Sequence, residues 1–132
     1  MALYLSGYGL NMSGPCVHKD DIETEAIQKF MEADVIALVS PVYYFALTAQ
    51  LKTVIDRFYS RTYDINGKQS VLLAAGSNTA LTMRSITKHY ETLAGYMHWQ
   101  DRGRVLAPGC PTREAIAKTE YPQKAFELGM SL

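Results

Sequence analysis

The sequence predicts an α/β domain of three layers, in which an open parallel sheet lies between helices. Two apolar runs of strand length, VIALVS and SVLLAAG, alternate with segments whose apolar residues recur at helical spacing. Because the runs are nearly continuous, we expect strands that are covered on both faces. The chain has 132 residues, and we expect residues 1–132 to form a single domain.

The first complete helix is predicted in KDDIETEAIQKFMEA, and we expect residues 1–15 before it to be an irregular remnant. Asp20 and Glu23 have the D-x-x-E spacing of a capping box. Ile27 and Phe30 then continue the pattern at helical spacing. Capping explains these carboxylates, so we predict no metal site there.

The next helix is predicted in LTAQLKTVIDRFYS, after a strand that Pro41 ends. Thr48 is a candidate N-cap, and Lys52 and Asp56 are four residues apart, so they can pair on the helix surface. A third helix (LTMRSITKHYETLAGYM), a last strand (GRVLAPG) and a closing helix (YPQKAFELGMSL) follow. This strict alternation predicts parallel strands joined by right-handed crossovers.

Composition narrows the class of protein. The formal net charge is zero, so no basic excess indicates nucleic-acid binding. Cys16 and Cys110 form neither a CxxC pair nor a metal-ligand spacing, and we expect two reduced thiols. The start, MALYLSGYGL, is too short for a spanning helix and lacks a basic region. We therefore expect a cytoplasmic protein that binds neither membrane nor nucleic acid.

Three consecutive aromatic residues, Tyr43, Tyr44 and Phe45, lie on the bend after the first strand. Ligands of open α/β sheets bind outside the carboxyl ends of the strands, where the bends PVYYF and GSN both fall. Aromatic surface beside backbone N–H groups suits a planar ring with heteroatoms at its rim. Alternatively, the aromatic residues pack against a partner subunit or the next helix, and the residues themselves leave both interpretations open.

The segment EADVIALVSPVYYFALTAQLKTVIDRFY resembles the central segment of the NADPH-dependent FMN reductase family, which is flavodoxin-like in fold. The positions that fit the family pattern are Ala33, Asp34, Ser40, Pro41, Val42, Tyr43, Leu51, Lys52, Asp56 and Arg57. The resemblance extends over about residues 14–132. We interpret Lys52, Asp56 and Arg57 as residues of helix-surface and interface ion pairs rather than of the chemistry.

The resemblance implies an FMN-dependent oxidoreductase that takes a hydride from NAD(P)H and passes it to a quinone, a nitro or azo compound or a flavin. The implied cofactor-binding residues are Pro41, Val42, Tyr43, Tyr44, Phe45, Ala75, Gly76, Ser77 and Asn78. The flavin carries the chemistry, so we name no catalytic residue. The resemblance also implies a homodimer or tetramer in which a second subunit covers the flavin.

The sequence departs from the family pattern at its N-terminus. The family begins with a strand, a phosphate loop and a helix, for which ALYLSGYGLNMSG is too short. Either the chain is a truncated form of a longer enzyme, or it lacks the phosphate clamp, in which case flavin affinity is weak or YLSGYGLNMSG substitutes for the clamp. For this 132-residue form we predict impaired FMN binding. Cys16 alone remains of the cysteine cluster of some relatives, so we expect no iron–sulfur cluster.

Two other functions fit the same fold. A flavodoxin-type electron carrier would bind the flavin without a nicotinamide step, although such carriers are usually acidic and this chain is neutral. A truncated, non-catalytic dimerisation module would use the aromatic bend for self-association alone.

Overall fold

The structure is a computed structural model that describes residues 14–16, 18–77 and 79–132. Its described part contains three strands, which we number β1 (Val35–Pro41), β2 (Gln69–Ala75) and β3 (Gln100–Ala107). They form one sheet in the order β1-β2-β3, and both pairs are parallel. The open parallel sheet predicted from the sequence is confirmed.

Five α-helices connect or follow the strands in the described residues: α1 (Ile27–Glu32), α2 (Ala49–Arg57), α3 (Thr82–Tyr96), α4 (Arg113–Ala117) and α5 (Tyr121–Met130). A π-helical turn (Ile22–Ala26) leads into α1, and a 3-10 turn (Phe58–Arg61) continues α2. The predicted helices are present, and the short α4 is an addition that the apolar periodicity did not indicate.

The helix N-termini are capped largely as predicted. The N–H of Glu23 donates to Asp20 Oδ1 at 3.2 Å, and the N–H of Leu51 donates to Thr48 Oγ1 at 3.3 Å. The reciprocal half of the capping box is replaced, because the buried Glu23 carboxylate accepts from the Cys16 N–H at 3.1 Å. This exchange ties the segment before the helix to the core.

The main core lies on one face of the sheet. Ile36 and Leu38 of β1 are buried against helices on that face, which contribute Ile27, Ile55 and Ile86. Burial of each such side chain contributes about 1.5–3 kcal/mol to folding. Helices α1, α2 and α3 therefore all cover the same side of β1 and β2.

Helix α5 covers the opposite face. A Cβ added to Gly103 of β3 would lie 2.9 Å from Leu128 Cδ1 of α5. Gly103 is the register partner of Val71, whose side chain lies on the opposite face to its neighbour Leu72 in the core. The third predicted layer is thus present, and glycine at 103 is favoured by its φ of 139° and by the close approach of Leu128.

The expectation that β1 is covered on both faces is wrong for the described residues. Burial alternates along the strand, and Ala37, Val39 and Pro41 are exposed while Ile36 and Leu38 are buried. The physical reason is the position of β1 in the sheet. Strand β1 is an edge of the described sheet, whereas α5 contacts the opposite edge, β3.

A polar network joins α3 to the sheet at Tyr90. Its hydroxyl lies 2.9 Å from Ser70 Oγ of β2 and donates to Asp101 Oδ1 of β3 at 3.0 Å. The Arg104 guanidinium lies 5.3 Å from the centre of the Tyr90 ring. Burial raises the pKa of Tyr90 to about 12.

We expect Tyr90→Phe to lower the free energy of unfolding by about 1–2 kcal/mol, because the fully buried Ser70 hydroxyl loses its partner. The pKa of Tyr90 is higher in the folded state, so its stabilisation is complete below pH 10 and is lost as pH rises toward 12. Urea denaturation at pH 10 and at pH 12 measures the free energy of unfolding. Its decrease between these pH values should be smaller in Tyr90→Phe than in the parent protein.

The matched control for this variant is Tyr96→Phe, on the same helix but with a side chain that is 59% exposed. It should leave stability unchanged within about 0.5 kcal/mol. Equal effects of the two substitutions would contradict the role of the Tyr90 network.

Candidate functional site

The bends after β1 and β2 lie side by side at the carboxyl edge of the sheet. Pro41 is the register partner of Ala75, and the Val42 N–H donates to the Ala75 carbonyl at 2.7 Å. The next residue along, Gly76, donates to the carbonyl of Ala107 at 3.1 Å. Backbone hydrogen bonds therefore join the ends of all three described strands at this edge.

The aromatic bend is a tight hairpin turn. The Tyr43 N–H donates to the Ala46 carbonyl at 3.3 Å, and the Ala46 N–H donates back to the Tyr43 carbonyl at 3.1 Å. The two residues between them, Tyr44 and Phe45, have φ values of 47° and 68°. Such turns normally place Asn and Gly at these positions, because left-handed backbone costs other residues about 1–2 kcal/mol each.

The side chains of this turn project into solvent. The exposed fraction is 65% for Tyr43, 98% for Tyr44 and 51% for Phe45. Within the described chain they are not sealed against the following helix, so that part of the alternative interpretation does not hold. The strain and the exposure together indicate a turn shaped for contact with something outside this fold.

Ser40 closes the base of the turn. Its buried hydroxyl accepts the N–H of Thr48 at 3.0 Å and donates to the carbonyl of Pro41 at 2.8 Å. Thr48 in turn caps α2, so one hydroxyl links the end of β1 to the start of the next helix. The strained turn is therefore held at both ends by buried or capped groups.

Three backbone donors of this site are unpaired within the described part of the chain. Among the described residues, the N–H groups of Tyr44, Phe45 and Ser77 make no backbone or side-chain hydrogen bond. Free donors beside exposed aromatic rings match the polar rim and flat faces of an isoalloxazine. The described residues thus fit the ring of a flavin.

Gly76 has a structural requirement of its own. A Cβ added to Gly76 would lie 3.2 Å from Val42 Cβ and 3.4 Å from Met83 Cε. The Gly76 carbonyl accepts the N–H of Cys110 at 2.9 Å. The residue is buried, so its glycine serves the packing between the two strand ends. The next residue, Ser77, is exposed.

The structure describes only some of the other residues that the sequence analysis assigned to the cofactor site. Ala75 is half-buried and Pro41 is exposed at the same edge, whereas Val42 is buried and offers no side chain to a ligand. Asn78 lies outside the described residues. The loop after β3, with Pro108 and Cys110, was missed, although the carboxyl-end rule for parallel strands applies to it equally.

A model of the NADPH-dependent FMN reductase family matches residues 5–108. The chain belongs to this family. An iron–sulfur flavoprotein of Archaeoglobus fulgidus is 36% identical over 100 residues, which is 72% of this chain and 40% of that protein. An FMN-dependent NADH:quinone oxidoreductase of Methylorubrum populi is 32% identical over 107 residues, which is 79% of this chain and 44% of that protein.

Among solved structures, the Trp repressor binding protein of Bacillus subtilis superposes with a TM-score of 0.70 at 19% identity. The match covers 82% of this chain and 75% of that one, and it supports the fold alone. The chain spans about two fifths of the length of the curated FMN reductase relatives.

The ion pairs of the FMN reductase motif divide into two kinds. Lys52 and Asp56 pair on the surface of α2, as predicted. Arg57 is not on the helix surface as predicted, because its side chain is 7% exposed and donates to Asp20 through both terminal nitrogens, at 2.9 and 3.0 Å. The hydrogen bonds from Arg57 lower the pKa of the Asp20 carboxyl. Arg57 therefore fixes the segment before α1 within its own subunit.

Two features were searched for in the described part of this family member, a metal-binding cluster and a membrane-spanning helix. No three His, Cys, Asp or Glu side chains there are placed to hold a metal ion. None of its described helices is long and apolar enough to cross a membrane.

Replacing the strained pair by Asn-Gly tests the turn of this FMN reductase family member. We expect Tyr44→Asn/Phe45→Gly to raise the free energy of unfolding by about 1 kcal/mol, because Asn and Gly tolerate left-handed backbone. Urea denaturation measures the change. The control Tyr63→Asn replaces another exposed tyrosine that has no positive φ, and should not stabilise. A loss of stability in the double variant would contradict the assignment of strain.

Proposed function

We propose that the chain is an NAD(P)H-dependent FMN oxidoreductase that passes a hydride to a small acceptor such as a quinone, a nitro or azo compound or a flavin. Membership of the family supports the reaction class. The observation that carries the proposal is the strained, exposed aromatic turn beside the second strand end. FMN, when bound, supplies the ring that accepts and donates the hydride.

Each side of the proposed site has a different task. The N–H groups of Tyr44 and Phe45 would hold the polar rim of the ring, while Pro41 stiffens the approach to the turn. Ala75, Gly76, Ser77 and Asn78 would close the other side. The rings of Tyr43 and Phe45 would exclude water from the bound flavin. No acid, base or nucleophile of the chain is assigned, because orientation is the protein's contribution.

A quinone is the acceptor class with the most direct support. The Methylorubrum populi relative is described as an FMN-dependent NADH:quinone oxidoreductase and is 32% identical. A second copy of the chain, in a homodimer or tetramer, would cover the exposed Tyr44 and complete a hydrophobic wall for such an acceptor.

We expect this chain to bind FMN weakly and to bind riboflavin almost as well. Both ligands share the ring, and every residue proposed for the site, from Pro41 to Phe45 and from Ala75 to Asn78, is assigned to the ring rather than to the phosphate. Titration monitored by flavin fluorescence gives both dissociation constants. A tight, stoichiometric FMN complex, or a riboflavin affinity more than about tenfold weaker, would contradict the predicted loss of the phosphate contacts.

The aromatic contact is tested in the same titration. Tyr43→Ala should weaken flavin binding about tenfold, which corresponds to one aromatic stacking contact of about 1.4 kcal/mol. Tyr63→Ala, an exposed tyrosine outside the site, is the matched control. Equal binding by both variants would place the flavin elsewhere.

Reduction by NAD(P)H separates the enzyme from an electron carrier. With saturating FMN and no oxygen, we expect NADPH or NADH to bleach the protein-bound flavin faster than free FMN at the same concentration. Addition of a quinone should then restore the oxidised flavin spectrum. A protein that binds flavin but does not accelerate bleaching would favour the flavodoxin-type carrier. A protein that dimerises through Tyr43 and Tyr44 and binds no flavin would favour the dimerisation module.

A further inference from the structure

A third turn lies at the carboxyl edge of the sheet, directly after β3. We call residues 107–110 the β3 turn. Its central residues are Pro108 and Gly109, and Gly109 has a φ of 71°. This order, with proline first and a left-handed glycine second, is typical of a type II turn. The conformation of the β3 turn therefore depends on glycine at position 109.

The β3 turn holds Gly76 at two points. The carbonyl of Ala107 accepts the Gly76 N–H at 3.1 Å, and the Cys110 N–H donates to the Gly76 carbonyl at 2.9 Å. In a common β-turn, the carbonyl of the first residue accepts the N–H of the fourth. Here both of these groups bond to Gly76 instead, so the turn acts as a clamp on the residue that follows β2.

The bond from Cys110 departs from a regular ladder by one residue. Because the Gly76 N–H donates to Ala107, a regular parallel ladder would bring the N–H of Gly109 to the Gly76 carbonyl. The β3 turn inserts one residue, and the left-handed backbone of Gly109 brings the Cys110 N–H to that carbonyl. The buried Cys110 thiol also donates to the Pro108 carbonyl at 3.6 Å, which holds the turn in this shape.

Gly76 connects this clamp to both bends of the proposed flavin site. It packs so closely against Val42 that an added Cβ would lie 3.2 Å from Val42 Cβ. Val42 directly precedes the aromatic turn. Ser77, whose N–H is unpaired within the described residues, directly follows Gly76. The position of Gly76 therefore sets the separation between the Ser77 N–H and the aromatic turn.

We propose that the β3 turn is a positioning element for flavin binding, which acts through Gly76 and sets the separation of the two bends that hold the ring. The proposal rests on the proposed function, because it concerns the same site. Residues of the turn need not contact the flavin. If the turn opened, the buried Gly76 would lose a hydrogen bond and Ser77 would move relative to the aromatic turn. Flavin would then bind only to the fraction of molecules in which the turn is closed.

The substitution Gly109→Ala tests this role. Nothing lies within 4 Å of a Cβ added to Gly109, so alanine introduces no clash and acts only through its unfavourable left-handed backbone. We expect the turn to open, and the dissociation constant for riboflavin, measured by flavin fluorescence, to rise by about fivefold or more. In hydrogen exchange, the amides of Gly76 and Cys110 should be protected in the parent and should exchange faster in the variant.

The matched control is Gly67→Ala. Gly67 is also an exposed glycine, with a φ of 72° and nothing within 4 Å of an added Cβ. It precedes β2, at the opposite edge of the sheet and about 20 Å from the proposed site. Both alanine variants should lower the urea midpoint by similar amounts, but Gly67→Ala should bind riboflavin as the parent does.

A conservative variant separates positioning from a general loss of structure. Gly109→Asn should restore riboflavin binding to within about twofold of the parent, because asparagine adopts left-handed backbone more readily than alanine. If Gly109→Ala does not fold, Pro108→Ala takes its place. It frees the φ of the first central residue and should weaken riboflavin binding about twofold or more.

Three results would overturn the proposal while leaving the flavin site itself in place. The turn variants bind riboflavin as tightly as the parent, Gly67→Ala weakens binding as much as they do, or Gly109→Asn fails to restore it. If the parent chain binds neither riboflavin nor FMN, the proposed function fails, and the role of the β3 turn in flavin binding fails with it.

Discussion

The parallel register between β1 and β2 is the constraint on which the rest of this structure depends. It places Pro41 opposite Ala75 and sets Val42 against Gly76. A slip of one residue would turn Ile36 out of the core and would separate the two strand ends. The burial of one face of β1 therefore also positions the site, because the same register governs both.

The aromatic turn stores strain that the surrounding structure supports. Tyr44 and Phe45 occupy left-handed backbone at a cost of about 1–2 kcal/mol each, and the buried Ser40 hydroxyl holds the ends of the turn. An Asn-Gly pair would adopt this backbone at a lower cost in free energy but would offer no aromatic surface. The turn is thus a position where local propensity and the proposed contact with a flavin favour different residues.

The outer edge of β1 and the proposed flavin site belong to one strand. The odd-numbered residues of β1 direct their backbone groups away from β2, and the strand then leads into the turn that carries Tyr43. The edge and the turn are therefore neighbouring parts of the same surface.

Local signals in the sequence determined the alternation of strands and helices, the cap at Thr48, the Lys52–Asp56 pair and the aromatic residues at a strand end. These features depend on neighbours within a few residues. Only the tertiary structure decided that the described residues leave one face of β1 uncovered, that Arg57 is buried against Asp20, and that Gly76 packs closely against Val42. An apolar run in the sequence shows which residues can be buried. Whether they are buried depends on which segments, distant in sequence, pack against them.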